Sequence, residues 1–355
     1  MQAMTVCFTE TEPQSEQFFE ASLPDQKVGF CDQLSEVPRD IDCLSIFIGT
    51  PINDEVLHER PNLKFIATRS TGVDHIDLPS CKKHGVTVSF VPSYGENTVA
   101  EHTFALLLAL SRRIRHTLTM KRGGAFSFES LRGFELKDKT IGVVGAGRIG
   151  LHVIRIAKAF GMSVLAHDIN RADLLAEVLG FQYVPFDDLL RRSDIISLHV
   201  PLTAATVHLL NRDTLAKCRP GVIVINTARG ALIDTDALLE AMDSGVVGGV
   251  GLDVLEDERL FRSDASKLVT EQIIADLQRV SSPEEMHMRN PQRLADIQRL
   301  KANESLLSRP NVVFTPHIAF NSAEAVRRID EVTVQNIRAF SVGKPINVVP
   351  ETNIR

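Results

Sequence analysis

The sequence predicts an α/β protein of two doubly wound parallel-sheet domains, one inserted into the other. Short apolar runs alternate with helical patterns along almost all 355 residues, as expected of parallel strands joined by crossover helices. One such run, 140–144, leads directly into Gly145-Ala146-Gly147-Arg148-Ile149-Gly150 and then into a helical pattern. A chain of this length is also long for a single core.

The first unit reads as strands at 3–8, 43–49, 63–68 and 86–90 with helix or loop between them. A nearly continuous apolar helix follows at 100–110, with Asn97 or Thr98 as its cap. Strands at 140–144, 163–167, 182–184, 194–200, 222–227, 250–255 and 312–315 make a complete second sheet. Asp234 or Thr235 caps a helix that stops near Gly245, and a last helix at 323–340 follows Pro316 and His317. The early unit lacks a closing helix, so residues 321–355 are expected to return to it. The predicted domains are 1–98 with 321–355, and 99–320.

The segment 259–308 breaks the alternation. It is polar and strandless, with helical patterns at about 266–280 and 291–307 on either side of Ser281-Ser282-Pro283. Leu268, Ile273, Ile274 and Leu277 stripe the first helix, and Leu294, Ile297, Leu300 and Leu306 the second. Such stripes bury against something. A surface insertion, an oligomer contact and a cover over the ligand site are all open.

Within 145–150 each glycine has a task. Gly145 permits the tight turn out of the strand, Gly147 lets a phosphate approach the backbone, and Gly150 lets the new helix pack on the sheet. The helix N-terminus then offers N–H groups and partial positive charge to a pyrophosphate. Asp168 stands 18 residues beyond Gly150 at the end of the next strand. A carboxylate there grips both adenosine ribose hydroxyls and favours NAD over NADP. The inserted domain is therefore read as a Rossmann NAD-binding domain, and its host as a flavodoxin-like substrate domain.

Composition removes other classes. The net charge of −6 gives no basic footprint for nucleic acid. No apolar run approaches the roughly 20 residues of a membrane span, and the first basic residue is Lys27, which argues against a charged signal sequence. Cys7, Cys31, Cys43, Cys81 and Cys218 are odd in number and scattered. They read as free thiols of a cytoplasmic protein, with no metal cluster.

Three polar residues end predicted strands, where ligands sit in open α/β sheets. Arg229 follows 222–228, Glu258 lies just past 251–257, and His317 follows 312–316. A guanidinium binds carboxylate in a fork and polarises a carbonyl. An imidazole exchanges a proton near neutral pH, and a carboxylate orients it.

These residues lie in motifs that resemble the D-specific 2-hydroxyacid dehydrogenase family almost end to end. The matching strings are RSTGVDHID at 69–77, GAGRIG at 145–150, HVPLT at 199–203, NTARG at 226–230, DVLEDE at 253–258 and TPH at 315–317. The resemblance implies that Arg229 binds substrate, that His317 is the acid/base and that Glu258 pairs with it. It places the substrate carboxylate on the backbone of Thr71, Gly72 and Val73. It sets Arg148 and Ile149 at the pyrophosphate, Val200, Pro201 and Thr206 on the adenosine side, and Thr227, Ala228 and Asp253 on the nicotinamide side. Tyr94 and Phe320 are similar to an aromatic pair of the D-lactate dehydrogenase branch and imply a short keto acid such as pyruvate. The implied protein is a cytoplasmic homodimer that passes hydride reversibly between NADH and a small 2-keto acid. A hydroxypyruvate or glyoxylate reductase, a formate dehydrogenase and an NAD-sensing regulatory protein are the alternatives.

Overall fold

The computed structural model describes residues 3–119, 128–129, 131–258 and 291–350. The helix expected at 266–280 lies outside them. The chain divides into two compact units, Met1–Gly95 with Asn321–Arg355, and Glu96–Phe320. Among the described residues no helix is long and apolar enough to cross a membrane.

The first unit contains β1 (Thr5–Thr9), α1 (Pro13–Ser22), β2 (Lys27–Cys31), β3 (Cys43–Ile46), α2 (Asp54–His58), β4 (Phe65–Thr68), α3 (Leu78–Lys83) and β5 (Thr87–Ser89). Its sheet is parallel, in the order β2-β1-β3-β4-β5. Strand β2 is absent from the sequence reading. It is the edge strand and none of its residues is fully buried, so it lacks the apolar run that marks β3 and β4, buried throughout. The Ala323–Ser341 helix returns to this unit, capped by Ser322, whose side chain accepts from the Ala325 N–H. Val334 and Ile337 join Val6, Phe8, Phe19 and Phe65 in its core, and Phe340 stacks on Phe65 at 4.3 Å.

The second unit opens with α4 (Glu96–Ser111) and α5 (Ile114–Thr119). Helix α4 begins at Glu96, ahead of the expected cap. Asn97 sits inside its first turn and donates to Glu101 Oε1 at 2.5 Å instead of capping. There follow β6 (Thr140–Val144), α6 (Arg148–Ala159), β7 (Ser163–His167), α7 (Asp173–Leu179), β8 (Gln182–Tyr183), α8 (Phe186–Arg192), β9 (Ile195–Leu198), α9 (Arg212–Leu215), β10 (Val222–Asn226), α10 (Thr235–Asp243), β11 (Val247–Leu252), the Pro291–Ser308 helix and β12 (Val312–Phe314). All strands are parallel, in the order β12-β11-β10-β9-β6-β7-β8. The strand order reverses between β6 and β9, and ligands of such sheets bind outside the carboxyl ends beside that reversal.

Strand β11 runs earlier than the expected 250–255. Its glycine-rich start hides the apolar pattern, and residues 253–255 leave the sheet as irregular backbone. Asp253 thereby becomes the first residue past a strand end.

Candidate active site

The β6–α6 turn has the shape a dinucleotide needs. Gly145 has φ +96°, and its N–H donates to the His167 carbonyl at 2.8 Å. A Cβ on Gly150 would lie 2.0 Å from the Gly145 carbonyl oxygen, whereas one on Gly147 would meet nothing within 4 Å. Gly147 is the N-cap of α6 and supplies no side-chain cap. The first turn of α6 thus starts at an open approach with no side-chain cap, which suits a pyrophosphate. Arg148 leans to Glu96 at 3.6 Å. Asp168 accepts from the Ala146 N–H at 2.7 Å and from the Asn170 N–H at 2.8 Å, so its carboxylate is fixed beside the turn. At the end of β9, Thr206 donates to the Pro201 carbonyl at 2.7 Å and accepts from the Thr203 N–H at 2.8 Å, which folds the turn after Val200.

Arg229 leaves the end of β10 on a turn shaped by Asn226. The Asn226 amide donates to the Arg229 carbonyl at 2.8 Å and accepts from the Ala228 N–H at 3.0 Å. Buried Thr227 shares a 3.0 Å hydrogen bond with Thr103 of α4. A Cβ on Gly230 would fall 1.9 Å from the Leu255 carbonyl oxygen. Only glycine lets this turn lie against the one after β11.

The ends of β11 and β12 bring Glu258 to His317, with Oε1 2.6 Å from Nδ1. The carboxylate accepts, so Nδ1 carries the proton and Nε2 is the nitrogen left to face a substrate. His317 has φ +55°, a left-handed conformation that a non-glycine residue adopts only when its surroundings impose it. Asp253 imposes it. Its carbonyl accepts the His317 N–H at 2.7 Å. Its carboxylate accepts from Thr315 Oγ1 at 2.6 Å, and from the N–H groups of Ile318 and Ala319 at 2.9 Å each. His102 of α4 completes the brace, 2.8 Å from Thr315 Oγ1. Burial pushes the Asp253 carboxyl upward. The bonds from His102, Thr315, Ala319 and Ile318 outweigh it and hold the group below its ordinary value. Asp253, expected beside the nicotinamide, is 1% exposed and has both oxygens engaged under the His317 turn.

The residues expected to hold the substrate carboxylate lie in the first unit, past the end of β4. Ser70 donates to the Gly72 carbonyl at 2.6 Å, Thr71 to the Val91 carbonyl at 2.7 Å, and the Val73 carbonyl accepts the Ile76 N–H at 3.0 Å. The Tyr94 carbonyl accepts from Arg328 Nε at 2.8 Å. Phe320 closes the second unit.

The structure adds residues that the sequence reading missed. Asn226 and Thr315 stand in the quoted motifs as neighbours of other residues, but only tertiary contacts reveal what they hold. His102 and Thr103 on α4 gave no sequence signal beyond an apolar helix. Glu256 is buried and takes bonds from His208 Nε2 at 2.7 Å and Thr235 Oγ1 at 2.9 Å. Nothing in an acidic triplet marks one member as buried.

Comparison with known proteins gives the family and agrees with the fold. The model of the D-isomer specific 2-hydroxyacid dehydrogenase NAD binding domain matches residues 104–319. The D-lactate dehydrogenase of Escherichia coli is 35% identical over 316 residues, 88% of this chain and 87% of that one. The glyoxylate reductase of Thermococcus litoralis is 34% identical over 343 residues, 94% of this chain and 91% of that one. The crystal structure of D-lactate dehydrogenase from Aquifex aeolicus, in complex with NAD and lactic acid, has a TM-score of 0.78 at 35% identity and covers 96% of each chain. With its two parallel sheets, its dinucleotide turn and these relatives, the chain belongs to the D-isomer specific 2-hydroxyacid dehydrogenases and is an NAD-dependent oxidoreductase of 2-hydroxy acids.

Proposed function

We propose that the substrate is a short 2-keto acid, with pyruvate reduced reversibly to D-lactate. The observation that carries this reading is the 2.6 Å Glu258–His317 pair, braced by Asp253 at the carboxyl ends of β11 and β12. NAD, when bound, supplies or accepts the hydride. Gly145, Gly147, Arg148, Ile149 and Gly150 hold its pyrophosphate, and Asp168 its adenosine ribose. Val200, Pro201 and Thr206 flank the adenosine, and Thr227, Ala228 and Asp253 the nicotinamide side. His317 delivers a proton from Nε2 to the keto oxygen in reduction and takes it back in oxidation. Glu258 keeps the ring in the tautomer that allows this. Arg229 forks the substrate carboxylate and stabilises charge developing on the oxygen. The backbone of Thr71, Gly72 and Val73 supplies further donors to the carboxylate, and Tyr94 and Phe320 restrict side-chain size.

A glyoxylate or hydroxypyruvate preference is the second reading, favoured by the relative of that activity. We also place the enzyme in the cytoplasm as a homodimer. Its five unpaired thiols support the first, and exposed Ile114 and Leu118 on α5 support a subunit contact.

The test is NADH oxidation with pyruvate, hydroxypyruvate, glyoxylate, 2-ketobutyrate and phenylpyruvate. Highest kcat/KM with pyruvate supports the proposal. A better two-carbon or hydroxylated substrate moves the assignment to the second reading. NADH binding without turnover of any of them makes the protein an NAD sensor.

A further inference from the structure

The turn that presents Glu258 is held by a helix to which the catalytic reading gives no task. The Pro291–Ser308 helix buries Ile297 and Leu306, and Leu306 enters the core with Leu238, Val247 and Val312. The helix is therefore docked on the sheet. Its polar residues Arg299 and Asn303 are four apart and share one face. Asn303 is fully buried, and its Nδ2 donates to the Glu256 carbonyl at 2.9 Å. Arg299 sets Nη1 2.8 Å from Glu256 Oε2 and Nε 3.9 Å from Asp257 Oδ2. The Nη1 contact lies off the hydrogen-bond axis, so its attraction is Coulombic.

Two features make this grip matter. Glu256, Asp257 and Glu258 are three consecutive carboxylates, and like charges at such spacing repel. Asp257 also has φ +53°, a left-handed conformation that must be imposed on a non-glycine residue. Arg299 places a cation beside the first two carboxylates, and Asn303 pins the backbone where the turn begins. Among the described residues, the charged groups paired with Glu256 are His208 and Arg299, and the one paired with Glu258 is His317. We infer that Arg299 and Asn303 are positioning residues for the Glu258–His317 pair, so that the extra helix holds the catalytic histidine's partner in place. The inference rests on the catalytic reading of His317 proposed above.

The experiment compares Arg299→Met, which keeps the stem and deletes the charge, with Arg299→Lys, which keeps the charge. Arg309→Gln breaks the 2.7 Å pair with Asp243 just past the same helix and controls for general loosening. Arg299→Met is expected to lower kcat about tenfold or more, as displacement of an acid/base's partner does. Keto-acid KM and NADH affinity should stay within about twofold, because the loss falls on the transition state. Arg299→Lys should recover much of kcat, and Arg309→Gln should leave it unchanged. In a Glu258→Gln background Arg299→Met should add almost nothing, since it acts through Glu258.

A second readout needs no turnover. The downfield proton of His317 Nδ1–H, bonded to Glu258, should move or broaden in Arg299→Met and persist in Arg299→Lys. If the wild type turns over no 2-keto acid, the reductase reading falls by itself, and the resonance still decides the positioning role. Unchanged kcat and resonance in Arg299→Met, or full additivity with Glu258→Gln, overturns the inference.

Discussion

Two histidine–carboxylate pairs meet the same acidic turn, and their bond lengths barely differ. His208 Nε2 lies 2.7 Å from Glu256, and His317 Nδ1 lies 2.6 Å from Glu258. Their surroundings separate them. The Glu256 side chain is 9% exposed and also takes Thr235 Oγ1 and the Arg299 cation. The Glu258 side chain is 37% exposed. A buried acid crowded with donors is a fixture, because removing any partner leaves a charge or donor unsatisfied. An acid that keeps contact with solvent can follow its imidazole through a change of charge. The His208 pair also uses the outer ring nitrogen, whereas the His317 pair uses the inner one and leaves Nε2 for the proposed proton transfer. The contact distance therefore carries little information about role; the rest of the shell carries it.

The largest expected effect separates the two histidines. His317→Gln should lower kcat/KM by about 10²–10⁴, the usual contribution of a general acid/base, with little change in melting temperature. His208→Gln should cost less than about tenfold. Similar losses in steady-state assays of both variants would erase the distinction. The two acids should show the reverse ordering in chemical denaturation. Glu256→Ala should cost about 3 kcal/mol because it strands Arg299 and the Thr235 hydroxyl, whereas Glu258→Gln should cost less than about 1 kcal/mol. Equal costs would mean that burial does not distinguish the pairs.

A smaller effect is expected around the same site. Arg229→Lys keeps the charge and loses the fork, so kcat/KM should fall about tenfold, or roughly 1.4 kcal/mol, with NADH affinity unchanged. Asp168 should set cofactor choice, with NADH preferred over NADPH by about tenfold or more. Asp168→Ala should shrink that ratio in assays with both cofactors.

The smallest effect concerns acid. Asp253 is held below its ordinary value, so its ionised form stabilises the fold at all pH values above that of the unfolded group. That contribution declines as pH falls through the unfolded value and is gone below the folded one. In the first unit, burial pushes the Asp330 carboxyl up against the Ser15 hydrogen bond and the charge of Arg69, so its protonation relieves a cost. Acid loosening should therefore begin near Ile318 and Ala319 and not near Asp330. Hydrogen exchange of those amides below pH ~4, the ordinary carboxylate value, checks the order.

What the sequence made legible follows burial and local chemistry. Strands β3 and β9 are buried at every residue and stand out as apolar runs, whereas edge strand β2 has no such run. The β6–α6 turn was legible because its glycines are dictated by local backbone geometry. Asp234 was legible as a cap for the same reason, accepting from Asp236 and Ala237. The brace by Asp253 and the grip of Arg299 were not, because each depends on groups dozens of residues away. Asn97 reads as a cap from its type alone, yet the helix starts ahead of it because α4 gains more from packing than from a capped end.

The first unit is written in two pieces, and translation must contend with that. Phe8, Phe19 and Phe65 leave the ribosome with the opening 95 residues, but Val334, Ile337 and Phe340, which close their core, wait behind the 225 residues of Glu96–Phe320. At about 5–20 residues per second, that delay is on the order of 10–45 s. For that interval the second unit can fold around its own sheet while the first stays unfinished, with aromatic surface exposed. A chain that ends before the Ala323–Ser341 helix would have all five strands of the first sheet but leave Phe8, Phe19 and Phe65 uncovered on one side, a surface prone to aggregate.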